Sequence, residues 1–326
     1  MISHMFKTTF KTPEQYQLQT THVTATDGTP LPVSIIGKGK PVLLLHAFGM
    51  DARQFLPFIL PLTQHYQFYL PHFRGFGLAS NLMLPTFDFI EQYAEDTQQV
   101  FEYMREETGV EAFHVAGISM GALVMWAYLQ RFGTQYVSRY LNIDQAPIIH
   151  NQPDWQGGGV FGTRQTELFA QFTRLITHAA PYMQMEQVDS FRHLPYQLKE
   201  NLLTVERSFS LLSVGTKPSQ ILTKTLSYRA PHKIALMKHA TWQHKLRCLS
   251  AYVELPYDYR AVLPRVNIPT TLLIGGRSQL YGAEWQQRLV TMLPNAHSIV
   301  LPKSGHAIPM DAPIAFYKVL KQFLNS

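Results

Sequence analysis

Residues 112–126, Ala-Phe-His-Val-Ala-Gly-Ile-Ser-Met-Gly-Ala-Leu-Val-Met-Trp, are the stretch that decides the fold. The first half is a short apolar run with β-branched residues, which favours a strand, and the second half favours a helix. Between them stands G-x-S-x-G, as Gly117-Ile118-Ser119-Met120-Gly121. A turn from strand to helix within one residue crowds the backbone, and the flanking glycines remove the side chains that would clash. The pattern therefore predicts Ser119 at the tip of a strained turn, with its hydroxyl exposed.

This turn also predicts a chemistry. The Met120 N–H follows Ser119 at the positive end of the helix, where it would stabilise a negative charge that develops beside the serine. A serine hydroxyl becomes a good nucleophile only when an imidazole takes its proton, and the imidazole needs a carboxylate to fix its tautomer. The hypothesis thus requires a histidine and an acid elsewhere in the chain. The alternative is a glycine-rich turn with an idle serine.

Outward from this stretch, short apolar strands alternate with helices. Strands are predicted at 17–25, 31–36, 42–45, 67–70, 112–118, 137–143, 269–274 and 297–301, and helices at 51–65, 87–107, 119–132, 283–292 and 313–323. Such alternation is typical of a parallel sheet with right-handed crossovers. The predicted fold class is therefore α/β, with a mostly parallel sheet of about eight strands flanked by helices.

The alternation stops between about residues 148 and 265. Helical segments rich in Phe, Leu, Met and Tyr are predicted there, at 164–178, 195–213, 217–227 and 232–248. We interpret 148–265 as a mainly helical cap inserted into a core formed by 1–147 and 266–326.

Composition excludes several classes of protein. The 326 residues are 46% hydrophobic and 15% charged, so the chain can bury a large core. The net charge of +6 includes no long Lys/Arg block, which argues against a nucleic-acid partner. Cys248 is the only cysteine, so no intramolecular disulfide or Cys-based metal site is possible.

The apolar runs are short throughout the chain. Without an apolar signal run at the N-terminus or a run long enough to span a membrane, we expect a cytoplasmic protein with no integral membrane segment. The fourteen histidines show no plausible metal-binding spacing, so we predict neither a metal nor another cofactor. The sequence leaves the oligomeric state open.

The order of the motifs resembles that of the α/β-hydrolase family over nearly the whole chain outside the insertion. Gly117–Gly121 is similar to the family's nucleophile elbow, His46-Ala47-Phe48-Gly49 to its oxyanion loop, and Ser304-Gly305-His306 to its catalytic-histidine segment. The resemblance implies an oxyanion hole formed by the Phe48 and Met120 amides, with His306 as the general base. It also implies that the apolar insertion roofs the pocket, which favours a substrate with an acyl chain or ring.

The acid departs from the commonest pattern of that family. After the strand at 269–274 the chain has Ser278 where relatives usually carry an aspartate, and no Asp or Glu occurs from 259 to 283. The strand that follows the nucleophile helix, however, ends in Asp144. Some branches of the family carry the acid at that strand end, so we expect Asp144 to orient the histidine. The alternative is that Asp144 only caps a turn, with Asp258 or Asp311 as the acid.

The resulting interpretation is a serine hydrolase that cleaves an ester or lactone of a small apolar or acyl-chain substrate through an acyl-enzyme. Ser119 would be the nucleophile, His306 the base and acid, and Asp144 the orienting carboxylate. Two alternatives stay open. One keeps the fold but changes the reaction, to a cofactor-independent dioxygenase or a C–C bond hydrolase. The other is a non-catalytic ligand receptor.

Overall fold

A single sheet organises the protein. The computed structural model describes residues 17–185, 190–229 and 242–326. The strands β1 to β8 are Gln19–Thr24, Pro30–Gly37, Lys40–Leu45, Tyr66–Pro71, Phe113–Ile118, Val137–Ile143, Thr270–Gly275 and Ala296–Leu301. They lie in the order β1-β2-β4-β3-β5-β6-β7-β8. β2 pairs antiparallel with both β1 and β4, and the other neighbours pair parallel. The sheet has the predicted size and is mostly parallel, as expected.

Helices follow most strands. In chain order, α1 to α11 are Leu56–Ile59, Phe89–Thr108, Met120–Phe132, Gln165–Ala179, Ser190–His193, Tyr196–Ser213, Lys217–Arg229, Trp242–Glu254, Ala283–Met292, Ile308–Asp311 and Pro313–Asn325. The helices predicted around the sheet agree with α2, α3, α9 and α11 to within two residues. None of the described helices is long and apolar enough to cross a membrane.

The continuous helix predicted at 51–65 is wrong. Asp51 does cap a helical turn, since its carboxylate accepts from the Arg53 N–H at 3.0 Å. The chain then passes from a 3₁₀ turn at Ala52–Phe55 through α1 to a second 3₁₀ turn at Leu60–Leu62. Pro57 and Pro61 each lie at the start of a new turn, because proline lacks the N–H that would continue the previous one.

Hydrophobic clusters cover both faces of the sheet. Successive strand residues point to opposite faces, so Leu43 and Leu45 of β3 join the cluster that includes α2 and α3. Val42 and Leu44 join the cluster that includes α1 and α11. All four side chains are fully buried. This two-sided burial explains why β3 is a continuous apolar run.

Between β6 and β7 the described residues form α4 to α8. The predictions at 164–178, 195–213 and 217–227 match α4, α6 and α7 to within two residues. Of the helix predicted at 232–248, residues 232–241 lie outside the described residues, and α8 continues to Glu254. α4, α6 and α8 contribute Leu175, Leu198 and Leu246 to a third hydrophobic cluster. The division into core and cap at 148 and 265 stays a prediction.

Candidate active site

The candidate site lies where β5 and β6 end. Ser119 follows β5, and its N–H donates to the Ile143 carbonyl oxygen at 3.1 Å. Asp144 follows β6, and its N–H donates to the Leu273 carbonyl oxygen of β7 at 2.8 Å. Because parallel strands end at the same edge of the sheet, consecutive strand ends carry these two side chains to neighbouring positions.

The turn at Ser119 is as tight as the glycine spacing predicted. Ser119 has φ 49° and ψ −120°, a conformation that non-glycine residues rarely adopt. A Cβ on Gly121 would lie 2.4 Å from the Leu45 carbonyl oxygen, and one on Gly117 would lie 2.8 Å from the Ala122 nitrogen. Both positions therefore require glycine. Gly121 allows the turn to pack against β3, and Gly117 allows the turn itself to form.

Three predicted side chains form a continuous chain of hydrogen bonds. Ser119 Oγ lies 2.8 Å from His306 Nε2, and His306 Nδ1 lies 2.7 Å from Asp144 Oδ2. Asp144 is fully buried and His306 is 6% exposed. With the proton on Nδ1 donated to Asp144, Nε2 can accept the proton of the serine hydroxyl. The arrangement can activate Ser119 as a nucleophile, and the assignment of these catalytic roles stays a prediction.

The Asp144 carboxylate is held by several donors besides His306. The Gly275 N–H donates to Oδ1 at 2.7 Å, and Gln286 Nε2 donates to Oδ1 at 3.0 Å. Ser278, at the position where the resemblance noted above implies an acid, donates from Oγ to Oδ2 at 2.6 Å. Sequence reasoning missed Gln286, because a glutamine in an amphipathic helix carries no signal of its contact 142 residues away.

The competing carboxylates have other partners. Asp311 accepts from the backbone N–H groups of Gly215 and Gly305, both at 2.7 Å. Asp258 forms an ion pair with Arg260 at 2.7 Å. Neither carboxylate hydrogen-bonds His306 in the part of the chain that the structure describes. Asp311 instead fastens the loop that carries His306 to the end of α6.

The loop after β3 lies against the turn at Ser119. His46 donates from Nδ1 to the Ala47 carbonyl oxygen at 2.9 Å and accepts the Phe73 N–H at Nε2, at 3.1 Å. Burial lowers the pKa of His46 to about 4, so the ring is neutral near pH 7 and suits both contacts. This loop carries Phe48 to the cavity that also contains Ser119. The oxyanion role of the Phe48 and Met120 amides stays a prediction.

An apolar cavity opens beside Ser119. It lies between the strand ends and helices α4, α6 and α8, and its volume is about 1050 Å³ when the solvent at its open mouth is included. Its walls are mostly aromatic and aliphatic, and include Phe48, Phe161, Phe172, Leu202, Leu246 and Tyr252. Among residues 17–185, 190–229 and 242–326, no cluster of His, Cys, Asp or Glu could hold a metal ion.

Comparison with known proteins identifies the family of this chain. The profile of the alpha/beta hydrolase fold family matches residues 40–313, and the chain belongs to this family. This confirms the predicted family and fold class. The chain is 22% identical over 287 residues to a pimeloyl-[acyl-carrier protein] methyl ester esterase from Vibrio vulnificus, covering 88% of this chain and 95% of that protein.

Solved structures have the same fold. An esterase from Exiguobacterium antarcticum superposes with a TM-score of 0.71 at 20% identity, over 94% of this chain and 100% of that one. A bromoperoxidase from Bacillus anthracis gives a TM-score of 0.70 at 17% identity, over 95% of this chain and all of the other. At these identities the likeness supports the fold, and the reaction must be argued from the site.

Proposed function

We propose that this protein is a serine esterase that cleaves an ester with an apolar acyl part through an acyl-enzyme intermediate. The observation that carries the proposal is the hydrogen-bonded chain Ser119–His306–Asp144 at the wall of an apolar cavity. Serine nucleophile, imidazole base and buried carboxylate are the groups that acyl transfer requires. The ester-cleaving relatives in the same family support the same reaction class.

Acylation follows from this geometry. Ser119 Oγ attacks the ester carbonyl carbon while its proton passes to His306 Nε2, and Asp144 stabilises the resulting imidazolium. The carbonyl oxygen becomes an oxyanion, for which we propose the Phe48 and Met120 amides as donors. Collapse of this intermediate breaks the bond to the alcohol, which leaves with the proton from Nε2. The acyl group then remains on Ser119.

Deacylation repeats these steps with water. His306 Nε2 takes a proton from the water molecule that attacks the acyl carbon, and then returns it to Ser119 Oγ as the acid leaves. The cycle needs no redox change and no cofactor beyond the groups named here.

The substrate class follows from the cavity and the insertion. We propose that residues 148–265 form the cap of the site and that the acyl chain lies among the aromatic and aliphatic residues of α4, α6 and α8. The Vibrio relative is named for a methyl ester of an acyl chain, which fits a cavity of this kind. A cytoplasmic location remains part of this proposal.

The test is hydrolysis of chromogenic esters of graded acyl length by the wild type and by Ser119→Ala. We expect the variant to lose at least about a thousandfold in kcat/KM, because only the attacking oxygen is removed. A fluorophosphonate probe should label the wild type at Ser119 and should not label the variant. Ser208→Ala, on the exposed face of α6, serves as the matched control and should keep both properties.

Four results would contradict the proposal. Wild-type activity in Ser119→Ala, or labelling at another serine, would remove Ser119 as the nucleophile. Oxygen uptake without ester turnover would favour a dioxygenase, and single-turnover release without recycling would favour a receptor.

A further inference from the structure

Tyr281 is a buried tyrosine whose hydroxyl proton has no acceptor among the described residues. The residue is 3% exposed and lines the cavity that contains Ser119. Gln145 Nε2 donates to its hydroxyl oxygen at 2.7 Å and to the Ala146 carbonyl oxygen at 2.9 Å. Because a carbonyl oxygen can only accept, the amide group of Gln145 in these contacts is the NH₂ donor. The Tyr281 hydroxyl is therefore the acceptor from Gln145, and its own proton is left for another partner.

This arrangement distinguishes Tyr281 from the other buried tyrosines. A buried tyrosine hydroxyl usually finds a hydrogen-bond partner, because losing water without one costs free energy. In the described part of the chain, every other buried tyrosine donates from its hydroxyl to a protein oxygen. Tyr140, for example, donates to the Ala122 carbonyl oxygen at 3.1 Å, and Tyr257 donates to Asp88 Oδ1 at 2.9 Å. The exception lies in the wall of the cavity, where a ligand can supply the acceptor.

Backbone contacts hold Tyr281 close to the reacting groups. The centre of its ring lies 6.0 Å from that of the His306 ring. Its N–H donates to Ser278 Oγ, and its carbonyl oxygen accepts from Gln286 Nε2, both at 3.3 Å. Ser278 and Gln286 are also donors to the Asp144 carboxylate. The side chains that hold the acid thus hold Tyr281 as well, and its hydroxyl keeps a fixed position relative to the His306 ring.

A second tyrosine lines the same cavity from α8. The Tyr252 hydroxyl forms no hydrogen bond with the residues that the structure describes, and its ring lies 6.4 Å from the Phe48 ring. Burial, and after it the nearby Tyr281 phenol, raise the pKa of Tyr252 well above its ordinary value. Burial also raises the pKa of Tyr281. Both phenols therefore keep their protons near pH 7, and both are donors beside the reacting groups.

We propose that the Tyr281 and Tyr252 hydroxyls donate to an oxygen of the acyl chain, a few bonds from the ester that Ser119 attacks. This inference rests on the proposed esterase function, in which α8 borders the acyl chain. A single carbonyl or hydroxyl oxygen has two lone pairs and can accept from both tyrosines at once. A plain alkyl chain in the same place would cover both hydroxyls without offering an acceptor, which costs binding free energy. The substrate class is thus an ester of an oxygenated acyl chain, with an oxo or hydroxyl group near the ester.

The test compares methyl esters that differ only in that oxygen. Methyl hexanoate and its β-oxo, γ-oxo and β-hydroxy derivatives are hydrolysed by the wild type, Tyr281→Phe, Tyr252→Phe and the double variant, and a pH indicator measures the acid released. An oxygen substituent also changes the intrinsic reactivity of an ester. The decisive quantity is therefore the ratio of kcat/KM for each derivative to kcat/KM for methyl hexanoate, compared between proteins.

We expect each Tyr→Phe change to lower this ratio about threefold to tenfold for the best derivative, the effect of one neutral hydrogen bond. The derivative that loses most shows whether the bound oxygen is an oxo or a hydroxyl group. Tyr196→Phe, at an exposed position of α6, is the matched control and should keep the wild-type ratio.

Two results would overturn the proposal. One is a double variant that keeps the wild-type ratio for every derivative. The other is an equal loss on methyl hexanoate and all its derivatives, which would give the hydroxyls a role common to every ester. Calorimetry then measures the binding of the same esters to Ser119→Ala and to Ser119→Ala/Tyr281→Phe. If the wild type turns over no ester, the esterase proposal fails. A binding advantage of the oxygenated esters that Tyr281→Phe removes would still support the role of the hydroxyl, and equal binding would overturn it.

Discussion

At the scale of single residues, Asp144 is the side chain with the most demanding environment. Its φ of 53° is unusual for a non-glycine residue, and its carboxylate accepts from four different groups. Oδ2 accepts from both His306 and Ser278, whereas Oδ1 faces Gly275 and Gln286. The donors fix the oxygen that contacts the imidazole, and so hold the ring in one orientation.

We expect Asp144→Asn to lower kcat/KM for ester hydrolysis by up to about four orders of magnitude while preserving the near-UV circular dichroism. An amide can donate to Nδ1 and so stabilise the wrong tautomer, and it cannot offset the imidazolium charge. Asp258→Asn is the matched control and should stay within a few-fold of the wild type. An active Asp144→Asn beside an inactive Asp311→Asn would reverse the assignment.

Ser278 offers a second residue-scale prediction, since its Oγ lies 2.6 Å from the Asp144 oxygen that faces His306. In the Asp144→Asn background, Ser278→Asp should restore part of the lost activity, because the new carboxylate starts within reach of the imidazole. In the wild-type background the same change should lower activity, since two carboxylates in contact cannot both ionise easily. Steady-state ester hydrolysis by the four proteins measures both effects. If Ser278→Asp lowers the activity of the wild type but restores none in Asp144→Asn, the side chain at position 278 cannot reach His306.

The residue types of the site could be predicted from the sequence, but their supporting contacts could not. Ser119 was predicted by a local pattern of five residues, whereas Asp144 was predicted from the resemblance to branches of the α/β-hydrolase family that carry the acid at this strand end. Gln286 and Asp311 act through contacts with residues 142 and 96 positions away along the chain. Such contacts depend on tertiary packing, for which no local pattern in one sequence is a signal.

At the scale of elements, the turn from β5 to α3 is packed against the end of β3. A Cβ on Gly121 would meet the backbone oxygens of Leu45 and His46 at 2.4 and 2.8 Å. Backbone atoms cannot move aside as a flexible side chain can, so α3 would have to shift away from the loop that carries Phe48.

We therefore expect Gly121→Ala to lower ester hydrolysis at least tenfold and to lower the free energy of unfolding by about 1–3 kcal/mol. Gly133→Ala provides a contrast, since a Cβ there meets nothing within 4 Å, although its φ of 75° brings some backbone strain. Urea unfolding and ester hydrolysis are measured on both variants. Wild-type activity and stability in Gly121→Ala would show that α3 and β3 tolerate a methyl group between them.

Elements with a clear period or a clear end were predicted well, and those shaped by proline were not. β3 and α9 match their predictions closely because an apolar run or a helical period defines each of them. The 51–65 segment has apolar residues at helical spacing, yet Pro57 and Pro61 divide it into short turns. The spacing of apolar residues indicated one continuous helix. The segment instead forms short turns, because the prolines lack the N–H groups that would continue it.

At the scale of the whole molecule, the end of α6 is fastened to the loop that carries His306. The Ala307 N–H donates to the Ser213 carbonyl oxygen at 2.7 Å, next to the contacts that Asp311 makes. A Cβ on Gly215 would lie 2.3 Å from the Gly305 nitrogen, so the two backbones are in direct contact. The position of α6 is thereby tied to that of the His306 loop.

Two histidines of the described residues are buried in the neutral state. Burial lowers the pKa of His46 to about 4, despite the nearby Asp51 charge. Burial, with the charges of Arg247 and Lys245, lowers the pKa of His244 to about 3. The neutral His46 ring accepts a hydrogen bond from the Phe73 N–H. The neutral His244 ring forms a hydrogen bond with the Tyr93 hydroxyl.

These shifts predict that acid destabilises the protein well above the range where most carboxylates are protonated. Below about pH 6.5 the unfolded chain binds protons at these histidines while the folded chain does not, so the free energy of unfolding falls as the pH is lowered. For His46 the loss is complete near pH 4 and amounts to about 3 kcal/mol. Urea unfolding between pH 7.5 and 4.5 should show this decline. His46→Gln, which can keep both hydrogen bonds, should make it shallower, whereas His65→Gln at the exposed surface should leave it unchanged. An equally steep decline in His46→Gln would show that other groups cause it.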